Sequence, residues 1–138
     1  MPGPLDGFRI LDLTAVISGP YCTMILADQG ADVIKVEPRG RGDFTRSAGN
    51  RSGGLSASFL NNNRGKRSIT IDLKSEDGAA LLKRLAATSD VFVQNFRPGV
   101  IERMGLGEDA IRAAAPDIVY VSISGFGETG PYAGKPVY

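Results

Sequence analysis

The first stretch whose residue types could do chemistry is Thr14-Ala15-Val16-Ile17-Ser18-Gly19-Pro20, a turn of small and hydroxyl residues running into a proline suited to a helix start. Backbone N–H groups at such a start can face a phosphate or an acyl oxygen, although a plain tight turn has the same composition. Asn95-Phe96-Arg97-Pro98-Gly99, with Arg103 following, supplies different parts. An aromatic side chain can lie on an adenine and guanidinium groups can hold phosphates, so this segment fits a nucleotide-like ligand. The competing reading is a core phenylalanine flanked by solvated arginines. Asn63-Arg64-Gly65-Lys66-Arg67 concentrates three cations just before a strand. A cluster of this kind is expected to be a solvated edge that discourages sheet pairing. Cys22 is expected to pack on the apolar side of its helix.

Composition narrows the chemistry. Histidine is absent and Cys22 is the single cysteine among 138 residues, which excludes an internal disulfide, imidazole-dependent nucleophiles and the usual zinc ligand sets. The formal net charge is +1, so no global field recruits nucleic acid or an anionic membrane, and any anion site is local. With no signal-peptide pattern or long apolar run, the expectation is a soluble cytoplasmic protein. Gly125-Phe126-Gly127-Glu128-Thr129-Gly130 matches the dinucleotide fingerprint by letter. Pro131 follows it and no amphipathic helix opens there, so the glycines are read as a flexible loop that approaches a substrate.

These segments need elements to hold them. Short apolar runs predict strands at Phe8 to Leu13, Asp32 to Glu37, Ser68 to Leu73, Asp90 to Gln94 and Asp117 to Ser122. Between them, helices are predicted from Tyr21 toward a C-terminal Gly30, from a Ser75 cap through Ala79, Leu82, Leu85 and Ala86, and from Glu108 to Ala115, with a helical turn after Pro98 and Gly99. Pro38 to Gly54 reads as an exposed, mobile loop. Strands alternating with helices imply an α/β fold with a doubly wound, mainly parallel sheet. The loops starting at Thr14, Pro38, Lys74, Asn95 and Gly125 then open toward one edge, where ligands bind in such sheets.

The order of these blocks resembles the N-terminal region of the class III CoA-transferase family, also called the CaiB/BaiF family. The resemblance rests on Pro4-Leu5-Asp6-Gly7, Ile10 to Thr14, Gly19-Pro20, the run from Leu26 to Pro38, Gly42-Asp43, Lys66 to Ile69, Asp72-Leu73-Lys74, Asn95 to Gly99, Glu102 to Gly105 and Ser124 to Tyr132. It covers nearly the whole chain. It implies a Rossmann-like large domain that binds CoA, of which residues 1–138 are the N-terminal part, with the rest of that domain and a small domain absent. It also implies interlocked homodimers of the full-length parent, with no metal.

By the same resemblance, CoA or acyl-CoA contacts fall on Val16, Ile17, Ser18, Arg39, Ile71, Asp72, Leu73, Lys74, Asn95, Phe96, Arg97 and Arg103. The reaction implied is transfer of CoA from an acyl-CoA to a small carboxylate through an aspartyl-CoA thioester. The attacking aspartate lies beyond a match to Tyr138, so the chain by itself is expected to be inactive. Ala15, Ile17 and Pro38 depart from the formyl-CoA transferase pattern and argue against formyl and oxalyl specificity. An alpha-methylacyl-CoA racemase parent is a rival, opposed by Val137-Tyr138 where that branch has its histidine. A short non-catalytic nucleotide-binding module is the other.

Overall fold

Alternation decides how the strands sit. In Arg9–Asp12 (β1) and Asp32–Glu37 (β2), successive side chains point to opposite faces of a sheet. Ile10 and Val33 lie on one face, whereas Leu11 and Val36 lie on the other with a different set of neighbours. Both faces therefore need cover, as the hydrophobic content of these strands requires. A computed structural model, which describes residues 3–135, supplies that cover with helices on either side.

Ser18–Asp28 (α1) packs Leu26 and Ala27 onto the first face. The chain then turns at Gly30, whose φ of 102° is open to glycine, and enters β2. After β2 come a short 3-10 helix at Phe44–Arg46, a two-stranded hairpin of Arg51–Ser52 (β3) and Leu55–Ser56 (β4), and Ala57–Asn63 (α2), which packs beside α1. Arg67–Thr70 (β5) returns to the sheet. Glu76–Ala86 (α3), Val91–Gln94 (β6), Val100–Arg103 (α4), Glu108–Ala114 (α5) and Val119–Ser122 (β7) complete the order. Leu82 and Ala86 of α3, Ile101 of α4 and Ile111 of α5 meet Leu11, Leu13 and Phe92 in the larger core. Tyr120 stacks on Phe92 with ring centroids 5.1 Å apart.

The main sheet has five strands in the order β5-β2-β1-β6-β7, and every pair in it is parallel. The α/β prediction and its five strands hold. Several expectations along the way do not. Residues 38–54 are not uniformly exposed, because Asp43 and Thr45 are buried. The 3-10 helix is anchored by Asp43, whose carboxylate accepts the Thr45 amide. The third strand ends at Thr70 and the chain turns from Asp72, while α2 and the hairpin were not anticipated. Cys22 is exposed on α1 and does not pack inside. Val137-Tyr138 lie outside the described residues.

Burial ranks the leucines. Leu11→Ala is expected to lower unfolding free energy by about 2–5 kcal/mol, and Leu81→Ala, on the exposed side of α3, by under about 1 kcal/mol. Urea titration followed by circular dichroism measures both.

Candidate ligand-binding cleft

In an open parallel sheet the ligand site lies beyond the carboxyl ends of the strands, where the strand order reverses. Here the chain winds outward from β1 through β2 to β5, then crosses back to β6 on the other flank. The reversal therefore falls between β1 and β6, and the loops leaving those two strands are tied together. Ala15 N donates to Asn95 Oδ1 and Asn95 Nδ2 donates to Ala15 O, each at 2.9 Å. Asn95 thus acts as a backbone-like clip across the reversal point.

A cleft of about 710 Å³ opens at this clip. Ser18, Asn95, Phe96, Arg97 and Arg103 line it, together with Ile123 to Gly127 and Lys135. Among the described residues, its lining contains three cations, Arg97, Arg103 and Lys135, and no acid. Phe96, Phe126 and Val100 give it apolar surface. Phe126 also leans on Tyr132, whose ring lies 4.1 Å from the Lys135 ammonium. Such a lining suits an anion that carries an aromatic or apolar group.

The loop from β1 to α1 enters the cleft through Ser18. Val16 has a φ of 72°, a left-handed conformation that a β-branched residue adopts at a cost. Ile17 is the N-cap of α1 and provides no side-chain cap, and no acidic residue sits in the first turn. Gly19 lets the helix start approach Thr14, since a Cβ there would lie 2.3 Å from the threonine Cβ.

Behind this loop, the α1-side face of the sheet changes character. Ile10 and Val33 form its lower half, but two residues later the same alternation places Asp12 and Lys35, cross-strand partners, and then Glu37. All three are buried. Lys66 reaches Asp12 Oδ2 at 3.0 Å, with the two side chains 2% and 0% exposed. Its remaining donor capacity goes to Pro20 O at 2.9 Å and Asn63 Oδ1 at 3.0 Å. Asp12 also accepts from Thr14 N and from the Thr14 and Thr23 hydroxyls. Lys35 Nζ lies 2.8 Å from both Thr14 O and Asp43 Oδ2. Arg46 forks onto the two Glu37 oxygens, which also accept from Ser68 Oγ and Asp43 N. Gly42 fits between Glu37 and Arg46, where a Cβ would come within 2.6 Å of Glu37 Oε2.

Burial raises the Glu37 carboxyl, but hydrogen bonds from Arg46, Ser68 and the Asp43 amide outweigh it and bring it down to about 2. Burial likewise raises Asp43, and the Lys35 contact overcomes it, leaving the group below its ordinary range. For Lys66, burial wins and lowers the ammonium despite Asp12. Burial and the nearby carboxylates of Glu102, Glu128 and Glu108 push Tyr120 up to about 12.

The structure brings Ser18, Asn95, Phe96, Arg97 and Arg103 of the expected residues into one cleft. Val16 and Ile17 sit in the adjoining loop, Ile17 being 59% exposed. Arg39 is exposed after β2. Lys74 is exposed in the turn before α3, where Asp72 accepts its amide, and does not line the cleft. Ile71 is 3% exposed and Leu73 packs against the same core, so neither presents its side chain to a ligand there. The solvated-edge reading of the cationic cluster fails at Lys66, which is buried, while Arg64 and Arg67 are exposed and pair with Asp28 and Asp32. Sequence reasoning missed Lys135 and the whole buried ionic network. The one available signal was the charged residue at every second position in Val33-Ile34-Lys35-Val36-Glu37. Among the described residues, no three potential metal ligands cluster and no helix is long and apolar enough to cross a membrane.

Fold and cleft together define an α/β protein with a cation-lined cleft at the switch point of a Rossmann-type sheet. The profile of CoA-transferase family III matches residues 5–138, and the chain belongs to that family. Succinyl-CoA:glutarate CoA-transferase of Mus musculus is 49% identical over 98% of this chain and 31% of its own length. Acetyl-CoA:oxalate CoA-transferase of Acetobacter aceti is 46% identical over 99% of this chain and 35% of its own length. A CaiB/BaiF family protein from Brucella suis superposes with a TM-score of 0.93 at 43% identity, covering 100% of this chain and 38% of that one. The chain thus spans about a third of the length of the curated relatives it matches. A short-chain dehydrogenase/reductase family protein, at 22% identity and a TM-score of 0.52, shares the fold alone.

Two outcomes are expected from the buried charges. Lys66→Met strands Asp12 and should cost about 3–5 kcal/mol, against under about 1 kcal/mol for Arg67→Ala, whose partner Asp32 is solvated. Guanidinium titrations of the two variants compare them. Because the folded Glu37 carboxyl lies below its unfolded value of 4.5, its contribution is present above that pH and lost as pH falls toward 2. Glu37→Gln should flatten the stability profile across that window, read from melting temperatures at stepped pH.

Proposed function

We propose that this chain forms the CoA-binding part of an acyl-CoA:carboxylate CoA-transferase. The observation that carries this reading is the acid-free cleft with three cations at the strand-order reversal, in a chain that belongs to CoA-transferase family III. The names of the relatives pair a CoA thioester with a carboxylic acid, such as succinyl-CoA with glutarate or acetyl-CoA with oxalate. A donor acyl-CoA and an acceptor carboxylate are the corresponding substrates here. Arg97, Arg103 and Lys135 provide charge for the phosphates, and Phe96 an aromatic surface for the adenine.

By family resemblance, the chemistry runs through an aspartate contributed beyond position 138. Its carboxylate attacks the acyl carbon of the thioester, forming a mixed anhydride and releasing CoA as thiolate. The thiolate attacks the aspartyl carbonyl, giving an aspartyl-CoA thioester and freeing the donor carboxylate. The acceptor carboxylate then attacks the aspartyl carbonyl of that thioester and expels CoA thiolate, forming a second mixed anhydride. The thiolate attacks its acceptor carbonyl to give the new acyl-CoA and regenerate the aspartate. No electron transfer is needed. The parent is a homodimer in this reading.

The purified chain should bind CoA in calorimetric titration, and Arg103→Ala should weaken binding about tenfold through loss of a charge-assisted contact. Incubated with an acyl-CoA and excess carboxylate, it should exchange no thioester by mass spectrometry. Turnover above background would move the nucleophile into the present sequence.

A further inference from the structure

We infer that Lys35 is a positioning residue for the cleft, setting the loops after β1 and β2 from behind the sheet; this rests on the reading of the cleft as a CoA site. The geometry begins with Val16, whose left-handed backbone is unfavourable for a β-branched residue and persists only where its surroundings over-determine it. The two residues before it are held on every side. Thr14 donates its N–H and hydroxyl to Asp12 while its carbonyl accepts from Lys35, and Ala15 donates its N–H to Asn95 Oδ1 while its carbonyl accepts from Asn95 Nδ2. Asp12 and Asn95 account for the N–H groups and one carbonyl. The Thr14 carbonyl is fixed by Lys35 alone among the described side chains.

The same ammonium lies 2.8 Å from Asp43 Oδ2. Asp43 in turn caps the 3-10 helix through Thr45 and donates its amide to Glu37, closing the loop that carries Arg39. One buried cation therefore sets the loop entering α1 beside Ser18 and the loop leaving β2. Stability does not explain the arrangement by itself. A buried ion pair is expensive to desolvate, and apolar residues of similar volume are often as stable or more so. Apolar residues cannot, however, direct a carbonyl or orient a carboxylate. The pair's distinctive contribution is the set of the two loops, which spares a ligand the cost of ordering them.

The double variant Lys35→Met/Asp43→Asn removes both charges together and leaves neither stranded. Its melting temperature is expected to stay close to that of the parent chain, while calorimetry shows CoA affinity about tenfold lower from lost preorganisation. Hydrogen exchange should quicken at the Thr14 and Ala15 amides, which are bonded in the parent chain, while β1 and β6 stay protected. Unchanged CoA affinity in the variant would overturn the inference. So would loss of the cooperative melt, since the pair would then be holding the fold. If the parent chain itself fails to bind CoA, the CoA reading falls separately, and unchanged exchange at Thr14 and Ala15 in the variant would overturn the positioning role.

Discussion

The contact between Lys66 and Asp12 is the constraint around which the upper half of the molecule is arranged. A carboxylate and an ammonium withdrawn from water at the end of a central strand are tolerable only if their remaining hydrogen-bonding capacity is met. That requirement recruits the Asn63 side chain from the end of α2, the Pro20 carbonyl and Thr23 hydroxyl from α1, and Thr14 from the loop between β1 and α1. Helix α2 is only seven residues long and would be marginal on its own. Its attachment to α1 is in good part this electrostatic one. The network extends sideways through Lys35 and Asp43 to Glu37 and Arg46, so the α1-side face is apolar below and ionic above.

The division serves the cleft. Apolar packing fixes the strands, but packing is indifferent to where a carbonyl or an amide points. Hydrogen bonds to fixed charges are directional, and here they act on the backbone beside the site. Asn95 completes the arrangement from the other flank by pairing both of its amide functions with Ala15. What faces the cleft is cations and exposed rings, and the loop behind them is tied by hydrogen bonds within the chain.

Much of the architecture is legible in the sequence because local patterns carry it. The valine and isoleucine runs mark all five strands of the main sheet, and Ser75 caps α3 through the Gly78 amide as expected. Asn95, Phe96, Arg97 and Arg103 are legible as a group because parallel topology sends strand-end loops to one edge. The failures share a cause. Lys66 finds Asp12 across 54 residues, and no local composition separates a buried lysine from its solvated neighbours Arg64 and Arg67. Asp43 looks like loop chemistry until Lys35 and Thr45 close on it. Helix α2, with three asparagines in succession, has little apolar periodicity to show. Lys135 reaches the cleft through a glycine-rich stretch whose path no periodicity describes.

The strand order has a consequence for how the chain acquires its shape during synthesis. Strands β1, β2 and β5, with α1, α2 and the Lys66–Asp12 contact, form a self-contained sequence that is complete once Thr70 has been made. The strand pairings within that half, β1 with β2 and β2 with β5, lie behind it on the nascent chain, while the other face of its strands still awaits α3 and α5. The cleft is different, for its clip joins Ala15 to a residue 80 positions later, and its far wall comes later still. Until Asn95 leaves the ribosome, the inner edge of β1 has no neighbour and stands open to pairing with any extended segment. The half that is sealed by buried charge is thus also the half that must wait, with one strand edge bare, for the part that makes it useful.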